Sequence, residues 1–166
     1  MSEAGLSHVD AAGRANMVDV TQKPATDRYA LAEGLIRMLP QTLDRIMDGD
    51  LPKGDVLALA RVAGVQGAKL TSTLIPLCHG LPLTGLDLGI EPLAVDASGR
   101  AGLRVQAGAR TLAGTGVEME ALTAVGICLL TVYDMVKAVD RAMTIEGIRL
   151  LEKRGGRSGL WRRPDA

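Results

Sequence analysis

Residues 115–137 read TGVEMEALTAVGICLLTVYDMVK, and this stretch decides the fold because its charges stand only at its two ends. No residue between Glu120 and Asp134 is charged, and most of them are apolar. An apolar segment of this length predicts a buried helix, which we place from about Val117 to Asp140. The charged residues at the two ends of the helix then need a separate explanation.

The two charged ends share one face of this helix but lie far apart along it. Glu120 and Asp134 are fourteen positions apart, so at about 3.6 residues per turn they fall within roughly 40° of each other. A rise of about 1.5 Å per residue separates them by roughly 21 Å. Either the ends serve two different sites, or a second subunit brings the opposite end of its own helix alongside. We favour the second arrangement.

Each charged end also has an ordinary explanation. Asp134 and Lys137 stand at i, i+3 and can form an ion pair, whether on a plain surface or in a site. Glu118 and Glu120 put negative charge at a helix N-terminus, where the helix macrodipole favours it without any catalysis. On the physics of these residues alone, the helix-terminus explanation is the favoured one for the glutamates.

Composition limits the classes of protein to which the chain can belong. Its 166 residues are 47% hydrophobic, which predicts one domain over residues 1–166, with about 1–15 and 160–166 loosely held. The only aromatic residues are Tyr29, Tyr133 and Trp161, so we expect an aliphatic core and no base-stacking platform. Basic and acidic residues both number 19, so no net field favours a nucleic acid partner.

The cysteines and the hydropathy predict a cytoplasmic protein with no membrane role. Cys78 and Cys128 lie in apolar stretches, and the start of the chain has no apolar targeting region. No uninterrupted apolar run reaches the roughly 20 residues that span a bilayer. Two cysteines cannot hold a four-thiolate iron–sulfur cluster, and Cys78 and His79 lack the spacing of a structural zinc pair. We therefore assign no metal ligands.

Local patterns predict a mixture of helices and strands. An N-cap at Thr26 or Asp27 starts a helix over residues 28–38, and Pro40 interrupts it before a second helix that runs to about Asp48. The later patterns predict a helix over 53–70, strands over 83–90 and 103–109 that pair as an antiparallel hairpin through the 96–99 turn, and a last strand over 144–151. The fold class is therefore α+β.

Four short motifs carry candidate chemistry, and each also has an ordinary explanation. Lys53 follows a proline turn at a helix start, where it either faces an anion beside free backbone amides or is simply exposed. Lys69 is more often a solvated lysine. His79 lies in an apolar, turn-bounded setting, where a satisfied buried histidine is about twice as common as a catalytic one. Lys153 precedes residues 155–159, GGRSG, which form either an anion nest or a flexible tail.

Together these motifs resemble one family. The strings NMVDV at 16–20, KGDV at 53–56, LIPLCH at 74–79, TGVEMEALTA at 115–124, and YDM with KAV at 133–139 match the MoaC family of molybdenum cofactor biosynthesis, the cyclic pyranopterin monophosphate synthases. The likeness runs from about His8 to Gly159 without a large gap. It implies a ferredoxin-like antiparallel sheet packed with helices. It also implies a homohexamer, a trimer of dimers, with active sites at the subunit interfaces.

The resemblance implies an activity as well. The family converts 3′,8-cyclo-7,8-dihydroguanosine 5′-triphosphate into cyclic pyranopterin monophosphate and releases pyrophosphate, which makes it a lyase of the phosphorus–oxygen type. A radical GTP cyclase supplies this substrate, and the two cysteines here cannot hold the cluster of such an enzyme. No cofactor is implied, and the sequence does not decide whether magnesium is needed. The alternative is a non-catalytic nucleotide-sensing or scaffold protein of the same fold.

The motifs carry the family's site residues onto this chain. Asp134 is the implied catalytic acid or base, with Lys53 and Lys137 as its partners. The implied substrate-binding residues are Leu77, Cys78, His79, Glu118, Met119, Glu120, Lys69 and Lys153. The proton transfers of the rearrangement suit groups whose pKa values burial and neighbouring charge move towards the working pH. Leu70 and Gly114 depart from the family, whose members commonly carry a basic residue at those positions.

Overall fold

The computed structural model describes residues 13–164 and places one antiparallel sheet against a layer of helices. The elements between these residues are β1 (Thr26–Met38), α1 (Pro40–Met47), α2 (Val56–Lys69), α3 (Thr71–Leu74), β2 (Leu83–Leu93), β3 (Ala101–Ala113), α4 (Glu118–Val136), β4 (Thr144–Arg154) and β5 (Trp161–Arg162). The strand order is β2-β3-β1-β4-β5. Without the short elements this is the β-α-β-β-α-β order of a ferredoxin-like fold, so the predicted α+β class is confirmed.

The helix predicted over residues 28–38 is wrong, because this segment is the strand β1. It pairs with β3 on one side and β4 on the other, and it therefore lies inside the sheet. Its buried positions alternate through Ala30, Ala32, Gly34 and Ile36. These residues are mostly small, and a Cβ on Gly34 would lie 2.8 Å from the side chains of α4. The strand was hard to recognise because its inward face carries small residues where β-branched ones are expected.

The other long elements agree with the sequence apart from their ends. The helices α1 and α2, the β2–β3 hairpin, α4 and β4 all form where the patterns predict them. At the hairpin turn, the carboxylate of Asp96 accepts hydrogen bonds from the backbone amides of Ser98 and Arg100. Of the two ends predicted to be loose, residues 1–12 and 165–166 lie outside the described residues. Trp161–Arg162 pairs with β4 as β5.

The core lies between the sheet and α4, which contacts β1, β3 and β4. It is aliphatic, with fully buried side chains such as Ile36, Leu103 and Leu129. α4 is long and apolar enough to cross a membrane by length and composition alone, yet half of its most apolar window is buried inside this fold. Contact with a sheet on one side and α2 on the other is the environment of a core helix.

Glycines bring α2 close to α4. A Cβ on Gly64 would lie 2.9 Å from the carbonyl oxygen of Ala124, and one on Gly67 would lie 2.7 Å from the side chain of Ile127. These glycines therefore allow the close packing of the two helices. Lys53, just before α2, meets Asp134 near the end of α4, so the two helices run in opposite directions between the same two ends of the fold.

Candidate active site

A charged cluster stands at the C-terminal end of α4. The carboxylate of Asp134 accepts a hydrogen bond from Lys53 Nζ at 3.0 Å, and its other oxygen lies 2.7 Å from Lys137 Nζ. Lys53 also donates to the backbone carbonyl of Asp134 at 2.9 Å, which places a cation at the negative end of the helix dipole. The structure thus brings together in one chain the three residues predicted to be catalytic.

The turn before α2 holds Lys53 in this position. Gly54 has a φ of 83° and donates its amide to the carbonyl of Leu51, a backbone conformation that glycine adopts readily. Asp55 then caps α2 by accepting a hydrogen bond from the amide of Ala58 at 2.9 Å. The KGDV string is therefore a turn and helix cap that aims its lysine at the end of α4.

Hydrogen bonds within this cluster move the pKa values of Asp134 and Lys137 away from neutral pH. Hydrogen bonds from Lys137 and then Lys53 hold the pKa of Asp134 below its ordinary value. The hydrogen bond to Asp134 raises the pKa of Lys137. The side chains of Lys53, Asp134 and Lys137 are 45%, 58% and 52% exposed. Within residues 13–164 the cluster is therefore an ionised, solvent-facing group, and these residues do not provide the burial expected to tune it.

A pocket of about 580 Å³ lies at the other end of α4. Its walls come from the loop after α3, the start of α4 and the segment ahead of β1. The lining residues are Val18, Val20, Lys23, Ile75, Leu77, Cys78, His79, Leu81, Thr115, Gly116, Glu118, Met119 and Glu120. Every substrate-binding residue predicted within 77–79 and 118–120 lies in this one pocket.

Glu120 is the buried acid of this pocket. It is 4% exposed, and burial, followed by the charge of Glu118, raises its pKa. Burial and then the charge of Glu120 raise the pKa of Cys78 as well. Both groups are thus biased towards their protonated forms, in contrast to the ionised cluster at the other end of the helix.

Lys153 and Lys69 occupy different settings. Lys153 on β4 forms an ion pair with Glu118 at 3.2 Å, so it stands at the edge of the pocket. Gly116 leaves room for this arrangement, since a Cβ there would lie 1.9 Å from the carboxylate of Glu118. Lys69 is the exposed last residue of α2. Within residues 13–164, neither of the two pockets described for this fold has Lys69 in its lining.

A second pocket of about 520 Å³ adjoins the first and is basic. Its lining residues are Gln22, Lys23, Pro24, Thr26, Arg28, Gly114, Gly156, Arg157 and Ser158. The glycine loop predicted as an anion nest therefore does form part of a cavity, with Gly155, Gly156 and Gly159 at positive φ. Lys23 lines both pockets and stands where they meet.

Sequence reasoning missed Lys23 and Arg28. Arg28 donates from Nε to the carbonyl of Ala113 at 3.2 Å, and its guanidinium lies over Gly156, where a Cβ would approach it to 1.9 Å. The sequence analysis assigned residues 28–38 to a helix and therefore did not place Arg28 near the glycine loop. As part of a strand, Arg28 lies beside the ends of β3 and β4. For Lys23, the signal was its position just after the NMVDV string.

The charged cluster and the substrate-side pocket lie at opposite ends of α4 within one chain. α4 is continuous from Glu118 to Val136, so the roughly 21 Å expected between Glu120 and Asp134 holds along its axis. Among residues 13–164 no group of three or more His, Cys, Asp or Glu side chains is placed to hold a metal ion.

Comparisons with known proteins connect this geometry to one family. The model of the MoaC family matches residues 17–156. A curated relative from Thermomicrobium roseum, named cyclic pyranopterin monophosphate synthase, is 54% identical over 162 residues, which cover 98% of this chain and 95% of the relative. A relative of the same name from Chloroflexus aggregans is 56% identical over 161 residues, with 97% and 95% covered.

Proposed function

We propose a function from the premise that this chain belongs to the MoaC family: it is a lyase of molybdenum cofactor biosynthesis that forms cyclic pyranopterin monophosphate. Its substrate is 3′,8-cyclo-7,8-dihydroguanosine 5′-triphosphate, and pyrophosphate is the second product. The observation that carries the proposal is the Asp134 carboxylate held between the ammonium groups of Lys53 and Lys137, 3.0 and 2.7 Å away.

The charged cluster suits the proton transfers of the rearrangement. Opening and closing bonds of the sugar–purine skeleton requires protons to be removed and returned at defined atoms. A carboxylate beside two ammonium groups supplies one acceptor and several donors within hydrogen-bonding distance. A positioned acid or base of this kind contributes about 10²–10⁴-fold to a rate. We assign Asp134 this role, with Lys53 and Lys137 as its partners.

The pocket suits the ring system of the substrate, and the basic cavity beside it suits the triphosphate. Leu77, Met119 and the valines of the pocket offer apolar contact, while His79 and Glu120 offer hydrogen bonds. When a ribose oxygen attacks the α-phosphorus, the bond to the β-phosphate oxygen breaks and pyrophosphate carries away negative charge. Cations stabilise that charge as it develops. We assign this duty to Lys153, Lys69 and the cations of the basic cavity, Lys23, Arg28 and Arg157.

A complete site requires a second chain. The cluster and the pocket lie roughly 21 Å apart along α4, too far for both to act on one reacting centre. A twofold axis places the cluster of one chain beside the pocket of its partner. Exposed apolar side chains on the helices, among them Leu59, Val62 and Leu130, are available to be covered in such an assembly. We propose the homohexamer, a trimer of dimers.

The cellular setting follows from the reaction. A radical GTP cyclase must supply the cyclic triphosphate, and a cytoplasmic location matches a pathway that starts from a nucleotide. We propose no resident cofactor, no nucleic acid and no membrane partner. Magnesium is treated as a variable of the assay, because it commonly accompanies triphosphate substrates.

Direct turnover tests the function. The purified chain is mixed with the cyclic dihydroguanosine triphosphate, and pyrophosphate and the pterin product are followed with and without magnesium. We expect turnover by the wild type and a loss of about 10²–10⁴-fold in kcat for Asp134→Asn, with an unchanged oligomer. A chain that binds the triphosphate and releases no pyrophosphate would be the sensor of the alternative hypothesis, and an Asp134→Asn variant with full turnover would remove this residue from the chemistry.

A further inference from the structure

Asp140 is a buried acid in the turn that follows α4, and its side chain is 2% exposed. One carboxylate oxygen, Oδ1, accepts a hydrogen bond from the backbone amide of Ala142 at 3.0 Å. The other oxygen, Oδ2, accepts the backbone amide of Leu39 at 2.9 Å and the hydroxyl of Thr42 at 3.3 Å. The two oxygens of one carboxylate are thus divided between two segments, the turn from α4 to β4 and the start of α1.

The helix α1 receives its N-terminal cap from this distant acid. Its own N-cap residue, Leu39, makes no side-chain cap hydrogen bond, although Ser, Thr, Asp or Asn is usual at this position. In a capping box, an acid of the same helix accepts the amide of the N-cap residue, and here Asp140 does so from 101 positions away. Arg100 reinforces the contact, with Nη1 4.0 Å from Oδ2 of Asp140 and Nη2 donating to the carbonyl of Ala142 at 2.7 Å.

The turn that Asp140 fixes also carries Lys137. Lys137 is the C-cap residue of α4 and stands three positions before Asp140. Between them the turn is tight, because the amides of Val139 and Asp140 both donate to the carbonyl of Val136, at 2.8 and 3.2 Å. A turn held at Asp140 therefore also holds the backbone from which Lys137 reaches Asp134.

On the other side of the carboxylate, α1 leads to Lys53. In the turn after α1, the amide of Asp50 donates to the carbonyl of Arg45 at 3.0 Å, and the guanidinium of Arg45 donates back to the carbonyl of Asp50 at 2.9 Å. Leu51 is buried, and its carbonyl accepts the amide of Gly54 at 3.0 Å. Hydrogen bonds thus connect the end of α1 to the residues on both sides of Lys53, so a shift of α1 would move this lysine as well.

We propose that Asp140 is a positioning residue: it joins the turn that carries Lys137 to the helix that leads to Lys53, and it thereby holds both lysines against Asp134. This inference deepens the proposed function and rests on it for the chemistry that the cluster performs. The join itself is a property of the free protein, so it can be tested without substrate.

Asp140→Asn breaks the join while it keeps the volume of the side chain. An asparagine has one oxygen acceptor where the carboxylate has two, so it can serve the turn or α1 but not both. Glu33→Gln is the matched control, because Glu33 is another buried acid, 8% exposed, and is paired with Arg149 at 2.7 Å within the sheet. Thr42→Val removes one hydrogen bond to Asp140 and provides a milder variant in case Asp140→Asn does not fold.

Competitive acylation of the lysines, followed by peptide mass spectrometry, measures whether the cluster has loosened. To react, Lys53 and Lys137 must give up a proton and leave Asp134, whereas Lys69, exposed at the end of α2, normalises the rates. In Asp140→Asn of wild-type oligomer size, we expect at least one of the two lysines to react about fivefold faster. This corresponds to about 1 kcal/mol at tenfold per 1.4 kcal/mol, the size of one lost hydrogen bond. Thr42→Val should change the rates in the same direction, and Glu33→Gln should match the wild type.

The turnover assay separates positioning from a general loss of structure. Because the cluster acts in the chemical step, we expect Asp140→Asn to lower kcat about fivefold while KM is retained, and Glu33→Gln to retain both. Acylation rates of both lysines equal to those in Glu33→Gln, in Asp140→Asn and in Thr42→Val, would overturn the positioning role. An unchanged kcat in a variant whose lysines react faster would overturn its part in the reaction. A wild type without turnover would overturn only the proposed function, because the acylation does not depend on it.

Discussion

Replacing Gly64 by alanine tests whether the close contact of α2 with α4 holds the charged cluster together. The new Cβ would lie 2.9 Å from the carbonyl oxygen of Ala124 and 2.5 Å from a methyl carbon of Leu88. Leu88 can rotate away, but the carbonyl belongs to the backbone of α4. Restoring an ordinary contact of about 3.4 Å requires the helices to separate by about 0.5 Å, and such overpacking costs about 1–3 kcal/mol.

A second glycine serves as the matched control for helix propensity. Alanine is favoured over glycine within a helix by about 1 kcal/mol, so this gain must be removed from the comparison. Gly126 on α4 has as its nearest neighbour a methyl carbon of Ile148, 4.0 Å from its added Cβ. Gly126→Ala therefore gains the propensity without the clash. We expect Gly64→Ala to be less stable than Gly126→Ala by about 1–3 kcal/mol.

Unfolding in urea and by heat, at one protein concentration for all variants, measures this difference. For a chain of this size about 1 kcal/mol moves the melting temperature by about 2–4 °C. Turnover should fall in Gly64→Ala as well, because a separation of the helices moves Lys53 away from Asp134. Equal stability of the two variants would refute the argument that the glycine is required by the approach of the helices.

Two further predictions concern the two ends of α4. Burial raises the pKa of Glu120 above its ordinary value of 4.5, so the folded state holds the carboxyl proton more tightly than the unfolded state does. The protonated carboxyl therefore favours folding at low pH, and this contribution to the free energy of unfolding is lost as the pH rises through the folded pKa. The urea midpoint of the wild type should therefore fall relative to that of Glu120→Gln above about pH 4.5, and a pH-independent difference would contradict it. In a mixture of Asp134→Asn and Glu120→Gln chains, about a quarter of the sites pair an intact cluster with an intact pocket across a twofold interface. Turnover should recover to that level in verified mixed oligomers, and no recovery would place the site within one chain.

The sequence predicted α4 and the two charged ends because that information is local. A long apolar run framed by charges has few structural solutions, and the helix forms from Glu118 to Val136. β1 could not be read in the same way. It is a strand because it pairs with β3 and β4, which are distant in the chain. Its inward residues are small because α4 packs closely against them. Long-range pairing of this kind leaves little signal in a short window.

In the site, as in the fold, the sequence predicted the residues that belong to local motifs and missed those that depend on contacts between distant segments. The motifs named the residues of the pocket and the cluster, and the structure places Lys53 against Asp134 within one chain. The basic cavity was only half predicted. Its glycine loop is visible as GGRSG, but Arg28 lines the same cavity from the start of β1, and Lys23 lines it from the turn ahead of β1. Both depend on contacts between parts of the chain that lie far apart in sequence.

The proposed assembly would account for proton exchange by the charged cluster. In one chain, its hydrogen bonds lower the pKa of Asp134 and raise that of Lys137, and both shifts lead away from the pH at which proton transfer is fastest. Burial acts in the opposite direction, since it raises the pKa of a carboxylate and lowers that of a lysine. In the proposed assembly, a partner chain that covers this half-exposed cluster with its own pocket, where Glu120 is already buried, would supply this tuning together with the second half of the site.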